Sequence, residues 1–368
     1  VTFPLINDDL NAYFSLNHFG ISNYQDASGN TFSTMDFHYL ESASAANHTF
    51  GNSYISSGFI MTDFAINSLI RLAGGLRVEH INTLTDVVKF DSLGLPANDP
   101  RRDYSSGFPV ANPGKLNQTD FLPSINLIYK LNEDDSHLSN IRANYSRTTA
   151  RPSIRELSDV AIYDYEFRSF VFGNSDLKTV SINNYDLRYE NFFSSGNYSV
   201  SLFYKDFKNH IELVKSTGYS WQNVDESHVT GIELEGRKKL GRHFELAANV
   251  TLADSKTSFV RSRMEIDGGI KKFIPVDTLT RTMYGQAPYV VNTMFTYVAD
   301  SIGLTLTLSY NVQGKRLVIS SDNKEIPDIY ELPRNLFDFK VNKLLGKHFS
   351  VSLTIRDLLN APVVRSYD

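Results

Sequence analysis

Short turns and long loops alternate along this chain, and between them lie segments whose apolar and polar residues alternate one by one. Segment 335–357, NLFDFKVNKLLGKHFSVSLTIRD, shows the repeating unit. In its second arm Phe349, Val351, Leu353 and Ile355 alternate with Ser350, Ser352, Thr354 and Arg356. In its first, Phe337, Phe339 and Val341 alternate with Asp338, Lys340 and Asn342. Successive side chains of a strand point to opposite faces, so each arm has one apolar and one polar face. A turn of a few residues, Leu344 to His348, joins them.

The same unit predicts strands over 55–66 and 74–81, 124–131 and 140–147, 183–193 and 198–207, 229–240 and 244–254, and 288–298 and 303–312. With 335–357 this makes about six hairpins and about twelve strands. Residues 1–54 read as mostly loop with a strand near the start. Further long loops are expected over 91–120, 150–182, 255–286 and 313–333, and a medium loop carries Tyr219 and Trp221. Soluble sandwiches have turns of similar length at both ends, whereas an outer-membrane barrel has short turns at one rim and long loops at the other. Tyr185, Tyr189, Phe192, Phe193, Tyr198, Phe244, Tyr297, Phe337 and Phe349 sit near strand ends, where lipid-facing aromatic girdles gather. The expected fold is all-β, an antiparallel transmembrane β-barrel.

Composition narrows the partners. No apolar run approaches the ~20 residues of a membrane helix, so any crossing is made by strands. A net charge of -5 argues against nucleic acid, and the absence of cysteine excludes disulfides and thiolate metal sites. The N-terminus, VTFPLINDDL, lacks the basic and apolar regions of a signal peptide, and the chain is expected to be a segment of a longer protein.

Little in the sequence points to catalysis. The nine histidines show no HxxxH or HExxH spacing, and His137, His243 and His348 fall in short turns. Glu133, Asp134 and Asp135 lack the alternating ligands of a calcium loop. Glu233 and Glu235, two apart on one strand face, are roughly 7 Å from each other, a separation that could in principle serve glycoside hydrolysis. An ion-paired interior wall explains them with less effort, with Arg237 on the same face and Glu245 on the next strand. The expectation is no enzyme, no cofactor and no metal. Asp186, Arg188, Glu190, Glu233, Glu235 and Arg237 are expected to line the lumen. In the loops Arg101, Arg102 and Tyr104, then Tyr163, Tyr165 and Arg168, then Tyr219 and Trp221 combine aromatic faces with guanidinium groups, which suits stacking on a ligand and holding an anion.

Several segments resemble the barrel of TonB-dependent outer-membrane receptors of the Bacteroidota type. GGLRVEH (74–80) resembles the family's GGxRxE strand, and YSRTTARPSIREL (145–157) and GNSDLKTVSINNYDLRYENFF (173–193) resemble two further stretches. SLFYKDFKNHIE (201–212), TGIELEGRKKL (230–240) and the TIRDLLNAP ending fit in order and spacing. Ser175 and Thr179 stand where the family has prolines, which predicts a less rigid loop. The resemblance implies that about twelve strands of a barrel of about twenty-two are present, without the plug domain, the early strands or the final strand. It also implies location in the cell outer membrane, and capture of a scarce nutrient (siderophore, cobalamin, glycan or peptide) by external loops. Import would be powered by TonB–ExbB–ExbD through the plug. Membrane lipid and lipopolysaccharide are the implied surroundings, and a surface lipoprotein is a further partner class. The alternatives are a passive porin or a surface adhesin on a self-closed twelve-strand barrel, and an outer-membrane hydrolase using Glu233.

Overall fold

Alternation of period two becomes strand at every predicted position. The computed structural model describes residues 21–25, 31–35, 49–87, 113–134, 137–158, 161–165, 167–215, 218–267, 270–321, 326–346 and 348–367. The chain forms two compact units, 1–48 with 87–111, and 49–86 with 112–368. In the first, strands β1 (Ile21–Gln25) and β2 (Thr31–Met35) pair antiparallel.

The second unit holds the wall. Its strands begin with β3 (Thr49–Ala65), β4 (Ile70–Val87), β5 (Gly114–Glu133) and β6 (His137–Ala150). A one-turn helix α1 (Ile154–Leu157) and a hairpin of β7 (Ala161–Asp164) and β8 (Ser169–Phe172) follow. Then come β9 (Val180–Phe193), β10 (Gly196–Lys215), β11 (Tyr219–Leu240), β12 (Phe244–Asp267), β13 (Ile270–Arg281), β14 (Tyr289–Ala299) and β15 (Leu304–Gln313). The last elements are β16 (Arg316–Ser321), β17 (Ile329–Glu331), β18 (Arg334–Leu345), β19 (Phe349–Ile355) and β20 (Arg365–Tyr367). Antiparallel pairing runs β3–β4–β5–β6–β9–β10–β11–β12–β14–β15–β18–β19, the expected dozen. Tight turns join these strands at one end; in one of them Gly346 takes φ 69°, a left-handed backbone that suits glycine.

Two adjacent rows across the wall show what the alternation does. Tyr189, Val200, Leu234, Val250, Val291 and Val312 lie side by side on one face. One position along, Glu190, Ser199, Glu235, Asn249, Asn292 and Asn311 lie side by side on the other. The apolar face is the exposed one: Leu187, Leu202, Phe244, Phe295 and Leu353 are all exposed, while Glu190, Ser199 and Ser201 are buried. A stacked sandwich would hide Phe244 and Leu353 between its layers, so the sandwich is excluded. Rings mark both borders of the apolar face. Phe244 stacks on Phe295 at 5.5 Å near the turns, and Tyr145, Tyr185 and Tyr204 form a row farther up. Tyr198 and Tyr204, six positions apart on β10, span roughly 20 Å, close to the ~25 Å apolar band of an outer-membrane barrel.

Among the described residues no register joins β19 to β3, and both are exposed on both faces, Ile60 to 76% and Phe349 to 74%.

Several strands outrun the alternation. β10 continues to Lys215 and β11 begins at Tyr219, so Tyr219 and Trp221 lie on a strand and not in a loop. β12 and β13 occupy most of the expected 255–286 loop, and β16 and β17 lie within 313–333. The physical reason is a change of surroundings. Beyond Tyr204 the outward positions are Asp206, Lys208, Glu226, His228 and Lys256, so the apolar half of the pattern stops while the hydrogen-bonded ladder does not. The strand expected near the start of the chain lies outside the described residues.

Candidate functional site

The six residues expected along the lumen share the inward face. Arg188 and Glu233 lie in one transverse row through Ser201, Glu190 and Glu235 in the next through Ser199, and Arg237 in the one after, opposite Asn197. Each has a polar partner on this face. Arg142 Nε donates to Glu190 at 2.6 Å, Arg188 donates to Glu190 at 3.4 Å and to Glu235 at 3.0 Å, and Asn249 donates to Glu233 at 2.6 Å. Asp186 accepts from Asn144 at 3.1 Å, and Arg237 lies 3.4 Å from Glu245. Both candidate hydrolytic carboxylates are thus held as acceptors of fixed donors. Glu235 and Arg237 border a cavity of ≈ 600 Å³ against this wall, with Asn249, Asn292, Asn311 and Asp338.

At the loop end the motif residues converge. Arg151 bridges Glu79 at 2.6 Å and Asp120 at 3.0 Å, fastening the start of the 150–182 loop across β4 and β5, and Arg77 also pairs with Glu79. Ser153 and Glu156 form a reciprocal capping box on α1, which satisfies two otherwise orphaned backbone donors. Leu157, fully buried, joins Ile81, Leu116 and Leu177 in a core between the loop and the inward face of β4 and β5. Gly173 passes so close to the Ser158 carbonyl that a Cβ would overlap it. Asn174 then donates from its side chain to the Trp221 carbonyl at 3.0 Å and from its backbone to that of Glu156 at 2.7 Å. Thr179, at one of the two positions where proline was expected, is buried, and its hydroxyl has no hydrogen-bond partner among the described residues. Asn174 and the Lys178 backbone nonetheless tie this stretch to Trp221 and Asn223 of β11.

The loops then knit together. A small sheet runs β7–β8–β11–β10–β16–β17–β20, with β8 parallel to β11 and β16 parallel to β10. Its core is Val171, Leu213, Tyr219 and Ile319, with Phe167, Trp221, Tyr284 and Ile329 packed on it. Tyr219, expected to face ligand, is buried and stacked on Phe167 at 5.3 Å, and Trp221 packs against both cores. Apolar burial, not solvent, takes these two rings. Tyr163, Tyr165 and Arg168 stay together on the β7–β8 hairpin. Tyr163 meets Tyr165 edge-on at 5.1 Å and Phe170 at 5.4 Å, and Tyr165 is 87% exposed. Arg101, Arg102 and Tyr104 lie outside the described residues.

Sequence reasoning missed one cluster. Glu212, fully buried on β10, receives Arg281 at 3.2 and 2.5 Å, and His210 Nε2 lies 2.7 Å from it. Ser227 is 2.7 Å from His210 Nδ1, and Thr257 donates to Ser227 at 2.9 Å. Burial alone would raise the Glu212 carboxyl, but the hydrogen bonds from His210 and Arg281 and the guanidinium charge hold it down, to about 2. An apolar band takes roughly ten positions of a tilted strand, so Glu212 stands clear of it. His210 and Glu212 are an i, i+2 pair on one strand face, a signal the sequence does carry; Arg281, on β13, has no local signal.

Comparison with known proteins agrees with the wall. The family described as "TonB dependent receptor-like, beta-barrel" matches residues 3–358. No curated protein matches. Among solved structures, the siderophore receptor PiuA from Acinetobacter baumannii is 14% identical with TM-score 0.58, covering 94% of this chain and 49% of its own. The ferric-catecholate import receptor Fiu from K12 E. coli is 13% identical with TM-score 0.54, covering 84% and 41%. The ferric yersiniabactin uptake receptor FyuA from Yersinia pestis is 13% identical with TM-score 0.51, covering 90% and 44%. The chain therefore spans about half the length of the solved structures it resembles. With its apolar face outward, its charged face inward and its loops drawn to one end, the chain belongs to the TonB-dependent receptor β-barrel family, a family of outer-membrane receptors and transporters rather than enzymes.

Proposed function

We propose that this chain forms barrel wall of a receptor that captures a scarce nutrient at the cell surface and imports it with energy from TonB–ExbB–ExbD. The observation that carries the reading is the reversed sidedness of the wall, exposed apolar rows outside and a hydrogen-bonded charged face inside. The inward face, with Arg188, Glu190, Glu233 and Glu235 already fixed, suits the docking of a polar plug domain and the passage of a hydrophilic solute. The ligand class we favour is a siderophore, by analogy with PiuA, Fiu and FyuA. Tyr163 and Tyr165, with Arg168 on the same hairpin, would stack on its rings and hold its negative charge. The match of motifs to the Bacteroidota type stands as part of the same proposal.

Uptake of radiolabelled ferric siderophore by cells carrying the full-length receptor tests this. Deleting TonB is expected to abolish uptake while surface binding persists; uptake that continues without TonB would point to a passive porin. A Tyr163→Ala, Tyr165→Ala double variant is expected to weaken binding about tenfold, through loss of two stacking faces. Unchanged binding would remove the hairpin from the ligand site.

A further inference from the structure

The turn that joins β11 to β12 is basic in a chain of net charge -5: Arg237, Lys238, Lys239, Arg242 and His243 fall within seven residues. Three of the five have an acceptor at hand. Arg237 and Lys239 share the inward face, where Arg237 lies 3.4 Å from Glu245 and Lys239 stands opposite it. His243 Nδ1 donates to the Val298 carbonyl at 2.8 Å, and the Val298 backbone donates to the His243 carbonyl at 2.7 Å, which pins the turn to β14.

Lys238 and Arg242 are different. Both are exposed, and among the described residues neither has an acidic partner. Lys238 takes an outward position, opposite Gly196 of β10 and Leu246 of β12. Leu240, Phe244 and Leu246 around it are all exposed, so this cation stands on the surface that meets hydrocarbon. A lysine there is costly in mid-membrane and tolerable near the border, where its stem lies along apolar side chains and its head reaches the interface. Gly196 carries no side chain to screen the ammonium on that flank, and a Cβ there would overlap the Arg237 carbonyl, which keeps the position bare. Lys343 shows the contrast. It too is outward near the turns, opposite Leu304 and Val351, but its ammonium donates to the Ile302 carbonyl.

We infer that Lys238 and Arg242 hold the phosphate of an anionic phospholipid in the leaflet that borders the turns, its acyl chains lying along Leu240, Phe244 and Leu246. Charge decides the class: two cations without an acid favour a headgroup with no cation of its own, phosphatidylglycerol over phosphatidylcholine. This goes beyond the nutrient reading and needs only the wall's place in the outer membrane, whose short turns stand on the periplasmic side.

Native mass spectrometry of the full-length receptor, purified in detergent and supplied with equal amounts of the two lipids, tests the site. The receptor is expected to retain phosphatidylglycerol in preference. Lys238→Gln combined with Arg242→Gln is expected to cut the retained phosphatidylglycerol about tenfold and to erase the preference. Lys239→Gln combined with Lys256→Gln, which removes the same charge elsewhere, is expected to change neither. Heat-shifted mobility on gels shows in each case that the wall is folded. Unchanged retention in the first pair overturns the site, and equal loss in both pairs reduces it to attraction by net charge. Excess inorganic phosphate is expected to leave the lipid bound; displacement by it would remove the acyl chains from the account and the lipid as occupant. Lipid A retained in place of phosphatidylglycerol would overturn the assignment to the leaflet at the turns.

Discussion

Gly173 shows how narrow a margin single residues have in the loop that packs against β4 and β5. An added methyl group would collide with the Ser158 carbonyl oxygen, a backbone atom that cannot swing aside as a side chain could. Gly173→Ala is therefore expected to cost about 1–3 kcal/mol of loop docking. It should expose the segment around α1 to limited proteolysis while the heat-shifted mobility of the wall is kept; a protease pattern identical to wild type would show that the loop absorbs the methyl. Legibility in the sequence divides along the same line. Gly173, Asn174, Glu156 and Arg151 stand out because each is a residue type with a special backbone or polar role inside a recognisable stretch. Tyr219 and Trp221 mislead because an aromatic ring between strands reads equally well as a ligand platform and as core. Which one it becomes depends on Val171 and Ile319, residues far away in the chain whose packing no local pattern announces.

At the scale of elements, β10 and β11 carry the most information that alternation misses. Their lower halves were readable because lipid demands an apolar outer face. Their upper halves were not, because above the band one face meets water and the other meets folded loops, and neither imposes a period of two. What replaces lipid there is the buried set around Glu212, and its titration gives a testable sign. The folded carboxyl is depressed to about 2 from the usual 4.5, so its contribution is complete above the unfolded value and is lost as pH falls from about 4.5 through about 2. Pepsin acts across this window. Its cleavage next to Leu213 in detergent-solubilised receptor is expected to be slow at about pH 4 and to accelerate toward about pH 2. In Glu212→Gln, which has no carboxyl to titrate, cleavage should be faster at the upper end and flatter across the range. A rise with acid no steeper than that of Glu212→Gln, which corrects for the protease's own pH dependence, would mean that the pair does not hold the upper end of β10.

At the scale of the whole wall, the number of strands was legible from the turns, whereas the state of its two borders was not. A twelve-strand count fits a self-closed porin as well as one arc of a larger barrel, and sequence patterning is silent on which strand meets which across the seam. Outward side chains such as Phe349, Val351 and Leu353 are exposed in either arrangement. What favours the larger barrel is that, among the described residues, no register joins β3 to β19. In lipid each unpaired backbone group costs several kcal/mol, so these borders must find strands. Refolded alone in detergent, the 368-residue polypeptide is expected to associate through these borders, giving oligomers by sedimentation. In the full-length receptor the same borders should be covered, and the protein should sediment as one species. A cysteine pair, Ile60→Cys with Val351→Cys, supplies the decisive readout. Rapid disulfide formation within single chains of the isolated polypeptide would mean that β3 and β19 meet each other. The wall would then be a self-closed pore of twelve strands, and the case for a larger receptor barrel would have to rest on its motifs alone.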